Sequence, residues 1–415
     1  MVKRPMEGVR IVEVAQFTFV PASGGVLAEW GADVIKVEHA VTGDAQRGLV
    51  RLLGLDLAND SKTFFPIMEG PNRAKRSVGL ALEVPEGRDV LDELIRSADV
   101  FVTNFMPSAR KKLRLEVEDV RAINPNIIYV RGTGFGAQGE AADKGGYDGT
   151  AFWAQGGSAD ASTPEGAPQL NGMPTGAYGD SMGGMTIAGG IAAALYARNA
   201  TGEPSVVDVS LLGVGAWATQ FSVHLALMAG GPLPKPALPD PNNPVYGSPG
   251  NPLMGNFKTS DDRWVMLCML QPTKYWPEFC DRMGRPDLLE DPRFVGQEIL
   301  KNGNAGGEIV AEILRSLSLA EWVEKMDGAE GQWSLVQNTY EVGMDPLLRQ
   351  NGFVAKVTDA DGIQRELITN PVQFDETPAL SDRAPQFAEH TDEVLRELGI
   401  DDERLIELKI AGAVT

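Results

Sequence analysis

Short apolar runs and helical patterns alternate along the first half of the chain. The β-branched runs at residues 8–14 and 32–38 are typical of buried strands, and residues 21–30 between them place small and apolar side chains at helical spacing. Similar patterns follow: predicted helices span residues 84–96, 108–113 and 117–123, and predicted strands span residues 99–103, 126–131 and 205–209. Because strands that alternate with helices favour a parallel sheet covered on both faces, the sequence predicts an α/β fold.

The second half of the chain has a different pattern. The apolar run at residues 211–228 is interrupted by polar residues, so it predicts a long buried helix rather than a membrane span. Residues 230–252 are rich in proline, glycine and asparagine, which indicates a linker or an active-site loop. A small second lobe is predicted beyond it, with a strand at residues 264–270 and helices at 273–283 and 319–325, and two final helices follow at residues 391–398 and 401–410.

The turn after the first predicted strand limits the chemistry. Residues 15–21 contain no Gly-x-Gly-x-x-Gly, the fingerprint of a dinucleotide-binding turn. The chain also lacks Gly-x-Ser-x-Gly, which marks the nucleophile of many serine hydrolases. We therefore expect neither a nicotinamide or flavin enzyme nor a serine hydrolase.

Composition and charge narrow the range of partners. A chain of 415 residues with 43% hydrophobic residues is long enough for a large core and more than one domain. It has 37 basic and 57 acidic residues, and its net charge of −20 argues against nucleic-acid and anionic-membrane partners. The two cysteines and three widely separated histidines predict neither a disulfide framework nor a metal site. Residues 1–5 lack the apolar run of a signal peptide, so we expect a cytoplasmic protein.

A lone acid between glycines is the main candidate for chemistry. Asp180 follows Gly179 and precedes Gly183 and Gly184, just before a segment of small residues. This is where the N-cap of a helix belongs, and capping is the commonest role of an aspartate in that position. The same carboxylate can act as a nucleophile, because nearby glycines let a ligand approach the backbone closely. Both interpretations stay open on these residues alone.

A cluster of positive charge is a second candidate site. The segment Asn72 to Ser77 contains two arginines and a lysine and precedes an apolar run, which places it on a loop beside the sheet. Phosphate groups can be held at such a position, and this cluster is a candidate anion site. The basic run at residues 110–114 is interpreted as a solvated helix face.

Several motifs occur in an order and spacing that resemble one enzyme family. They are Gly31 to Glu38 (GADVIKVE), Asn72 to Ser77 (NRAKRS), Asn104 to Pro107 (NFMP), Gly134 to Gly136 (GFG), Gly179-Asp180, Thr201-Gly202 and His390-Thr391. Together they resemble the class III coenzyme A transferases, the formyl-CoA transferase-like CaiB/BaiF family, which also contains the 2-methylacyl-CoA racemases. The resemblance extends from about Met6 to Ile400.

This resemblance implies the domain organisation. The family has a Rossmann-like large domain with a parallel sheet and a smaller α+β domain, and two ring-shaped protomers interlock as a homodimer. Accordingly, residues 1–220 are expected to form the first part of the large, CoA-binding domain. Residues 221–335 would form a linker and the small domain, and residues 336–415 would complete the large domain.

The resemblance also implies the reaction, with Asp180 as a covalent nucleophile. Its carboxylate attacks an acyl-CoA thioester to give an aspartyl anhydride, and the released CoA thiolate then forms an aspartyl-CoA thioester. CoA passes from this thioester to a second carboxylic acid, and no metal or redox cofactor is required. Gly183 and Gly184 either offer N–H groups to the oxyanion or allow close helix packing, and these two interpretations stay open.

The CoA-binding residues implied by the family lie along the sheet edge. They are Thr18, His39, Asn72, Lys75, Arg76, Asn104, Phe105, Met106, Phe135 and Gly136, with His39, Lys75 and Arg76 near the nucleotide. At His39 and Met106 this chain departs from relatives, which commonly carry arginine at one or both positions. Weaker phosphate contact, or compensation by Arg47 or Arg110, would follow.

Tyr147 distinguishes the two activities of the family. Racemases carry a histidine in a Gly-His-Asp motif as one member of an acid/base pair, and this chain has Gly146-Tyr147-Asp148. A phenol, with an ordinary pKa near 10, is a poor base at neutral pH compared with histidine, near 6.5. CoA transfer is therefore favoured, with a 2-methylacyl-CoA racemase or epimerase and a non-catalytic acyl-CoA-binding protein as alternatives. Tyr147 can equally pack a loop onto the core.

The expected lid and acyl pocket differ from those of typical transferases. The family's glycine-rich lid in the small domain corresponds to Asn242 to Gly255, which has few glycines among several prolines. A lid of different shape is therefore expected. Aromatic residues near Asp180 or on the following helix can line a large apolar pocket, although their spacing is also typical of a core; they are Phe152, Trp153, Tyr178, Trp217 and Phe221.

Overall fold

The computed structural model describes residues 4–52, 54–56, 63–237 and 250–415, which form two compact units. The large unit takes in the described parts of Met1–Pro236 and Pro346–Thr415. The small unit takes in those of Ala237–Asp345. The chain therefore leaves the large unit once and returns to it.

The elements of the described chain are as follows. The strands are β1 (Arg10–Val14), β2 (Asp33–His39), β3 (Arg51–Leu52), β4 (Leu55–Asp56), β5 (Arg76–Leu80), β6 (Val100–Thr103), β7 (Ile128–Thr133), β8 (Val206–Ser210), β9 (Met254–Lys258), β10 (Trp264–Cys268), β11 (Trp333–Leu335), β12 (Val354–Thr358) and β13 (Gln364–Ile368). The α-helices are α1 (Phe19–Glu29), α2 (Pro66–Asn72), α3 (Pro85–Ser97), α4 (Pro107–Lys112), α5 (Val117–Ile123), α6 (Ser158–Ser162), α7 (Tyr178–Thr201), α8 (Leu211–Ala218), α9 (Gln220–Ala229), α10 (Pro272–Arg282), α11 (Asp287–Glu290), α12 (Gly303–Arg315), α13 (Leu319–Met326), α14 (Thr339–Met344), α15 (Pro346–Gln350), α16 (Thr391–Glu397) and α17 (Asp402–Ile410). A π-helix spans Asp148–Gln155.

Six parallel strands form the sheet of the large unit, in the order β5-β2-β1-β6-β7-β8. Apolar side chains alternate between its two faces, so Ile11 packs with α1 and α7 while Val12 packs with α3, α5 and α16. Both faces are therefore buried, which explains why the strands are nearly continuous apolar runs. The predicted α/β fold with a parallel sheet is confirmed.

The sheet changes winding direction between β1 and β6, and this creates a crevice. In sheets with this strand order, ligands bind at that point, beyond the carboxyl ends of the strands. The loops after the two strands are tied together there: the Gln16 N–H donates to Asn104 Oδ1 at 3.0 Å, and Asn104 Nδ2 donates to the Gln16 carbonyl at 2.7 Å. The crevice thus has a fixed floor.

The apolar run after β8 forms two helices instead of the single buried helix that its pattern predicts. α8 and α9 meet at Thr219 with a bend of 74°. The Thr219 hydroxyl lies 3.1 Å from the carbonyl oxygens of Gly156 and Gly215, which ties the break to the π-helix segment. α9 has no buried residue, so the prediction that this part of the run is buried is wrong. An apolar pattern does not show which other element packs against a helix. In the part of the chain that the structure describes, no single helix is long and apolar enough to cross a membrane, although the bent α8–α9 pair meets this test by length and composition.

The small unit has its own core. Its antiparallel sheet has the order β11-β10-β9, and Phe257 and Val265 pack with Trp276 of α10 and Trp322 of α13. The predicted strand and the two predicted helices of this lobe correspond to β10, α10 and α13. Of the expected lid, residues 242–249 lie outside the described residues, and β9 begins at Met254.

Candidate active site

Asp180 lies inside the first turn of α7, and the prediction that it occupies the N-cap is wrong. The helix begins at Tyr178, and its cap position is taken by Ala177, whose φ of 59° lies in the left-handed region. Ala177 has no side-chain oxygen to accept the free amides of the first turn. Another group has to satisfy them.

Asp148, at the start of the π-helix, supplies that group. The Gly179 N–H donates to Asp148 Oδ1 at 3.0 Å, and the amides of Tyr178 and Asp180 face the same carboxylate. Position 179 requires glycine, since a Cβ there would lie 2.2 Å from the Phe152 ring and 2.6 Å from Asp148 Oδ1. Asp148 is only 7% exposed, so this long-range cap is an interior contact.

The Asp180 carboxylate is consequently left without a hydrogen-bond donor among the described residues. Burial raises the pKa of Asp180 to about 7, and the negative charge of Asp148 acts in the same direction. Such a carboxylate is more basic than an ordinary one and is substantially ionised at neutral pH. An unpaired acid with a strongly raised pKa is typical of a catalytic group.

A cavity of about 430 Å³ opens beside Asp180 at the crevice between β1 and β6. Its walls are mainly apolar, and the large side chains are Phe17, Phe19, Phe105, Met106, Tyr147 and Leu211. Glycines at positions 132, 134, 145 and 146 and the polar side chains Gln16, Asn104 and Thr133 complete much of the lining. The carboxylate therefore faces a largely apolar space.

Two cationic side chains line this cavity, and both are engaged. Arg110 donates to the Phe105 carbonyl at 2.7 Å and pairs with Glu116 at 3.2 Å. The Lys144 ammonium lies 4.8 Å from the centre of the Phe135 ring, a cation–π distance. Neither cation pairs with Asp180, and no other described residue forms a salt bridge with its carboxylate.

The aromatic rim of the cavity depends on an unusual backbone at Phe17. Phe17 has a φ of 63°, a region that is costly for a residue with a Cβ. Its N–H donates to Asp44 Oδ1 at 3.1 Å, which holds this conformation. The Phe17 ring then lies edge to face with that of Tyr147, with ring centres 5.9 Å apart. Tyr147 is 68% exposed at this rim, so it does not pack a loop onto the core.

Buried charged side chains hold the loop that follows β1. Lys36 pairs with Asp44 at 2.8 Å and with Glu13 at 3.3 Å, and it donates to the Ala15 carbonyl at 3.0 Å. Lys75 pairs with the other side of Glu13 at 2.7 Å. All four charged side chains are fully enclosed. We call Glu13, Lys36, Asp44 and Lys75 the buried charge cluster.

The structure brings some of the predicted site residues together at one cavity and separates others. Asp180, Tyr147, Asn104, Phe105 and Met106 line the cavity described above. Thr18 exchanges hydrogen bonds with Gln46 next to this loop, while Phe135 stacks under Lys144, and the Gly136 N–H donates to Thr133 Oγ1 at 3.0 Å. Thr18, Phe135 and Gly136 therefore lie beside the cavity, and their contact with CoA stays a prediction.

The predicted nucleotide-binding residues are more dispersed. Lys75 and Arg76 line a different cavity of about 940 Å³. There Lys75 points inward to Glu13, and Arg76 pairs with Asp33, Glu393 and Glu397. Asn72 is buried against Lys75 at 3.1 Å. His39 pairs with Glu83 at 3.0 Å, and Arg47, proposed as a compensating cation, is bound to Glu38.

Gly183 and Gly184 have a packing role. A Cβ at Gly183 would lie 2.3 Å from the Phe19 ring, and one at Gly184 would lie 2.4 Å from the Ala22 Cβ. Close contact between α1 and α7 therefore requires both glycines. An additional role for their amides at an oxyanion stays a prediction.

Sequence reasoning did not single out Phe17, Phe19 or Lys144 as cavity residues. Phe17 and Phe19 follow β1, and the position of that loop at the mouth of a doubly wound sheet is the signal that could have identified them. Asp148 was visible only as the neighbour of Tyr147. Among the described residues, no group of three or more His, Cys, Asp or Glu side chains could hold a metal ion.

Comparisons with known proteins agree with one another. The sequence model of CoA-transferase family III matches residues 6–391. The chain is 30% identical to (R)-2-hydroxy-4-methylpentanoate CoA-transferase of Clostridioides difficile, over 99% of both chains. It is also 30% identical to cinnamoyl-CoA:phenyllactate CoA-transferase of Clostridium sporogenes, over 97% of this chain and 95% of the relative. A solved CaiB/BaiF family protein from Brucella suis superposes with a TM-score of 0.78 at 25% identity, over 95% of this chain and 99% of the other.

Proposed function

Because this chain belongs to CoA-transferase family III, we propose that it moves coenzyme A from an acyl-CoA to a free carboxylic acid with Asp180 as the covalent nucleophile. The observation that carries the proposal is the Asp180 carboxylate, which lies on a cavity, has no hydrogen-bond donor among the described residues and has a pKa of about 7. Asp148 caps α7, so the alternative role of Asp180 as a cap is already filled. This removes the main argument for the alternative hypothesis of a non-catalytic acyl-CoA-binding protein.

The proposed reaction proceeds through two anhydrides and one thioester. The Asp180 carboxylate attacks the thioester carbonyl, and the C–S bond breaks. CoA departs as the thiolate, and the acyl group stays on the enzyme as an acyl-aspartyl anhydride. The thiolate then attacks the aspartyl carbonyl, which releases the first acid and forms aspartyl-CoA. The carboxylate of the second acid then attacks aspartyl-CoA, which releases the CoA thiolate and forms a second anhydride. The thiolate attacks the acyl carbonyl of this anhydride, and the products are the new acyl-CoA and the free Asp180 carboxylate. Each thioester that breaks is recovered when the following anhydride collapses, so the net reaction exchanges one thioester for another and needs no external energy source.

Transfer is favoured over racemisation by the groups that face Asp180. A racemase needs an acid/base pair on opposite sides of the α-carbon. The side chains that line this described cavity include no histidine, and the residue before Asp148 is the exposed Tyr147. Attack by one carboxylate requires only Asp180, whereas proton transfer requires a second base.

Within this proposal, CoA enters along the loops after β6 and β1. Asn104, Phe105 and Met106 line the path to Asp180, where the pantetheine arm would lie. His39 Nε2 lies 3.0 Å from Glu83 Oε1, and the exposed Lys112 of α4 also interacts electrostatically with this carboxylate. This histidine and this lysine are our candidates for the nucleotide phosphates, while Lys75 and Arg76 are occupied by buried or multiple ion pairs.

The acid substrates are proposed to be monocarboxylic acids with apolar side chains. Phe17, Phe19 and Leu211 offer apolar contacts, and Arg110 is already paired with Glu116, which leaves the exposed Lys144 as the other cation of the described lining. A second carboxylate on the substrate would be desolvated among these apolar side chains. The relatives named for 2-hydroxy-4-methylpentanoate and for phenyllactate support this choice, since both acids carry an apolar group.

A trapping experiment tests these proposals together. The protein is incubated with branched-chain or aromatic acyl-CoAs and separately with acyl-CoAs that carry a second carboxylate, and hydroxylamine or borohydride is then added. We expect mass spectrometry to find Asp180 modified with the apolar donors and about tenfold less with the dicarboxylic ones. Modification that favours the dicarboxylic donors would contradict the substrate class. Deuterium exchange at Cα without any trapped Asp180 would indicate a racemase, and neither signal would indicate a binding protein.

We further propose that the partner is a second copy of this chain, in the interlocked arrangement implied by the family. The end of α8 and the length of α9 expose Trp217, Phe221, Leu227 and Met228, each more than 70% exposed. So many exposed large apolar side chains on one short stretch of chain are unusual for a monomer and typical of an interface. Sedimentation equilibrium is expected to give twice the chain mass of 44.6 kDa. A single-chain mass at micromolar concentration would contradict the dimer.

A further inference from the structure

Two acids in very different surroundings meet at the start of α7: Asp180 lies in its first turn, and Asp148, at the start of the π-helix, faces that turn. An acid at the start of a helix is ordinarily stabilised by the free amides and by the positive end of the helix dipole, which lowers its pKa. In this chain the amides of Tyr178, Gly179 and Asp180 face Asp148 instead. The Asp180 carboxylate belongs to the same turn and receives none of them among the described residues.

We infer that Asp148 is a positioning residue for Asp180. It fixes the first turn of α7 by accepting the Gly179 N–H, and because the amides of this turn face Asp148, the Asp180 carboxylate stays free of hydrogen bonds that would weaken it as a nucleophile. Each such bond would stabilise the ionised carboxylate more than the transition state, in which its charge is being lost. This inference rests on the transferase function proposed above.

The scaffold around Asp148 is rigid. The Tyr147 N–H donates to Thr150 Oγ1 at 3.0 Å, which fixes the entry to the π-helix. The buried Phe152 then packs its ring against that of Tyr178, with centres 6.2 Å apart. These contacts hold the π-helix and the start of α7 in one register, as positioning to within about 0.5 Å requires.

Other charged groups near Asp180 are few. Tyr147 and Lys144 of the preceding loop and Arg110 of α4 line the same cavity. α1 packs against α7 through Phe19 and Ala22, which do not titrate. Burial raises the pKa of Asp148 as well, and its charge raises that of Asp180. Asp148 is therefore the group whose removal should move the titration of Asp180 most.

The test compares Asp148→Asn with Asp148→Ala in the full-length protein. Asparagine keeps an oxygen that accepts the amides but removes the charge, whereas alanine removes both. In the wild type we expect the acid limb of kcat/KM near pH 7, because Asp180 must be ionised to attack. In Asp148→Asn the limb should move down by about one pH unit, with less than about a tenfold loss of kcat. In Asp148→Ala the loss at pH 8 should be on the order of 100-fold, because the nucleophile is displaced.

The control is Asp143→Asn, which removes an exposed acid from the same loop and should leave the profile unchanged. A ¹³C-carboxyl NMR titration of Asp180 gives a second readout that does not depend on activity. If the wild type transfers CoA between no pair of acids, the proposed function fails, while this titration still decides the role of Asp148. An unchanged Asp180 titration in Asp148→Asn, or wild-type kcat and profile in Asp148→Ala, would overturn the inference.

Discussion

Replacing Asp180 with asparagine is expected to lower kcat for CoA transfer by about 1,000-fold or more. Asparagine has nearly the same shape, so acyl-CoA should still bind, but an amide cannot form the anhydride with the acyl group. The loss should therefore appear in kcat and leave the Kd for acyl-CoA within about threefold of the wild type. Steady-state kinetics and isothermal titration calorimetry measure the two quantities separately.

The matched control is Ser181→Ala, one residue further along α7. The exposed Ser181 hydroxyl donates only to the Ala177 carbonyl, at 2.9 Å, and we expect its loss to change kcat by less than about threefold. Transfer by Asp180→Asn within tenfold of the wild type would rule out the covalent mechanism. An equal loss in both variants would point to disruption of the helix instead.

The same substitution should stabilise the fold at alkaline pH. The pKa of Asp180 in the folded protein, about 7, lies above its ordinary value of 3.8, so the native state binds more protons than the unfolded state between these values. Stability is therefore lost as the pH rises from about 4 to 7, and the neutral asparagine avoids this loss. At pH 8 we expect Asp180→Asn to unfold with a free energy about 2 kcal/mol higher than the wild type, after allowance for partial exposure. A catalytic group that destabilises its own fold is consistent with selection for activity.

Much of the fold could be predicted because it depends on local periodicity. The predicted helix at residues 117–123 is α5 as observed, and the predicted strands on either side of α1 are β1 and β2 to within two residues. The parallel sheet follows from the alternation of these elements. The break at Thr219 could not be predicted, because it depends on contacts with Gly156, which lies 63 residues earlier in the chain.

The chemistry of the site depended on long-range contacts that no local pattern records. Asp180 has the sequence context of an N-cap, yet Asp148, which lies 31 residues before Gly179, takes that role. Lys75 belongs to a basic run that predicts an exposed anion site, but its partner Glu13 lies 62 residues away and holds it inside. Phe17 adopts its left-handed backbone because Asp44 accepts its N–H. In each case a charged or polar partner distant in sequence decides the side chain's role.

The buried charge cluster provides the second large effect, and Lys36→Met is expected to lower the free energy of unfolding by about 3–5 kcal/mol. Burial opposes the charge on Lys36, but Asp44, Glu13 and Glu38 outweigh it and raise the pKa of the lysine, so it stays charged. Methionine fills the space but leaves Glu13 and Asp44 with one cation fewer. Urea unfolding at pH 8 measures the cost.

The effect of Lys36→Met should depend on pH in a definite direction. The pKa of Lys36 in the folded protein is raised above its ordinary value of 10.5, so the stability that its charge contributes is fully present below that value and is lost as the pH rises through the folded-state pKa. The deficit relative to the wild type should thus be the same at pH 5 and at pH 8 and become smaller only at strongly alkaline pH. Because Asp44 also holds the Phe17 backbone, the KM for acyl-CoA should rise by about tenfold while Asp180 keeps its place on α7.

The control is Lys409→Met, which breaks an exposed pair with Asp392 and should lower the free energy of unfolding by less than about 1 kcal/mol. Equal losses of unfolding free energy in the two variants would show that the buried charge cluster does not stabilise the fold more than an exposed ion pair does.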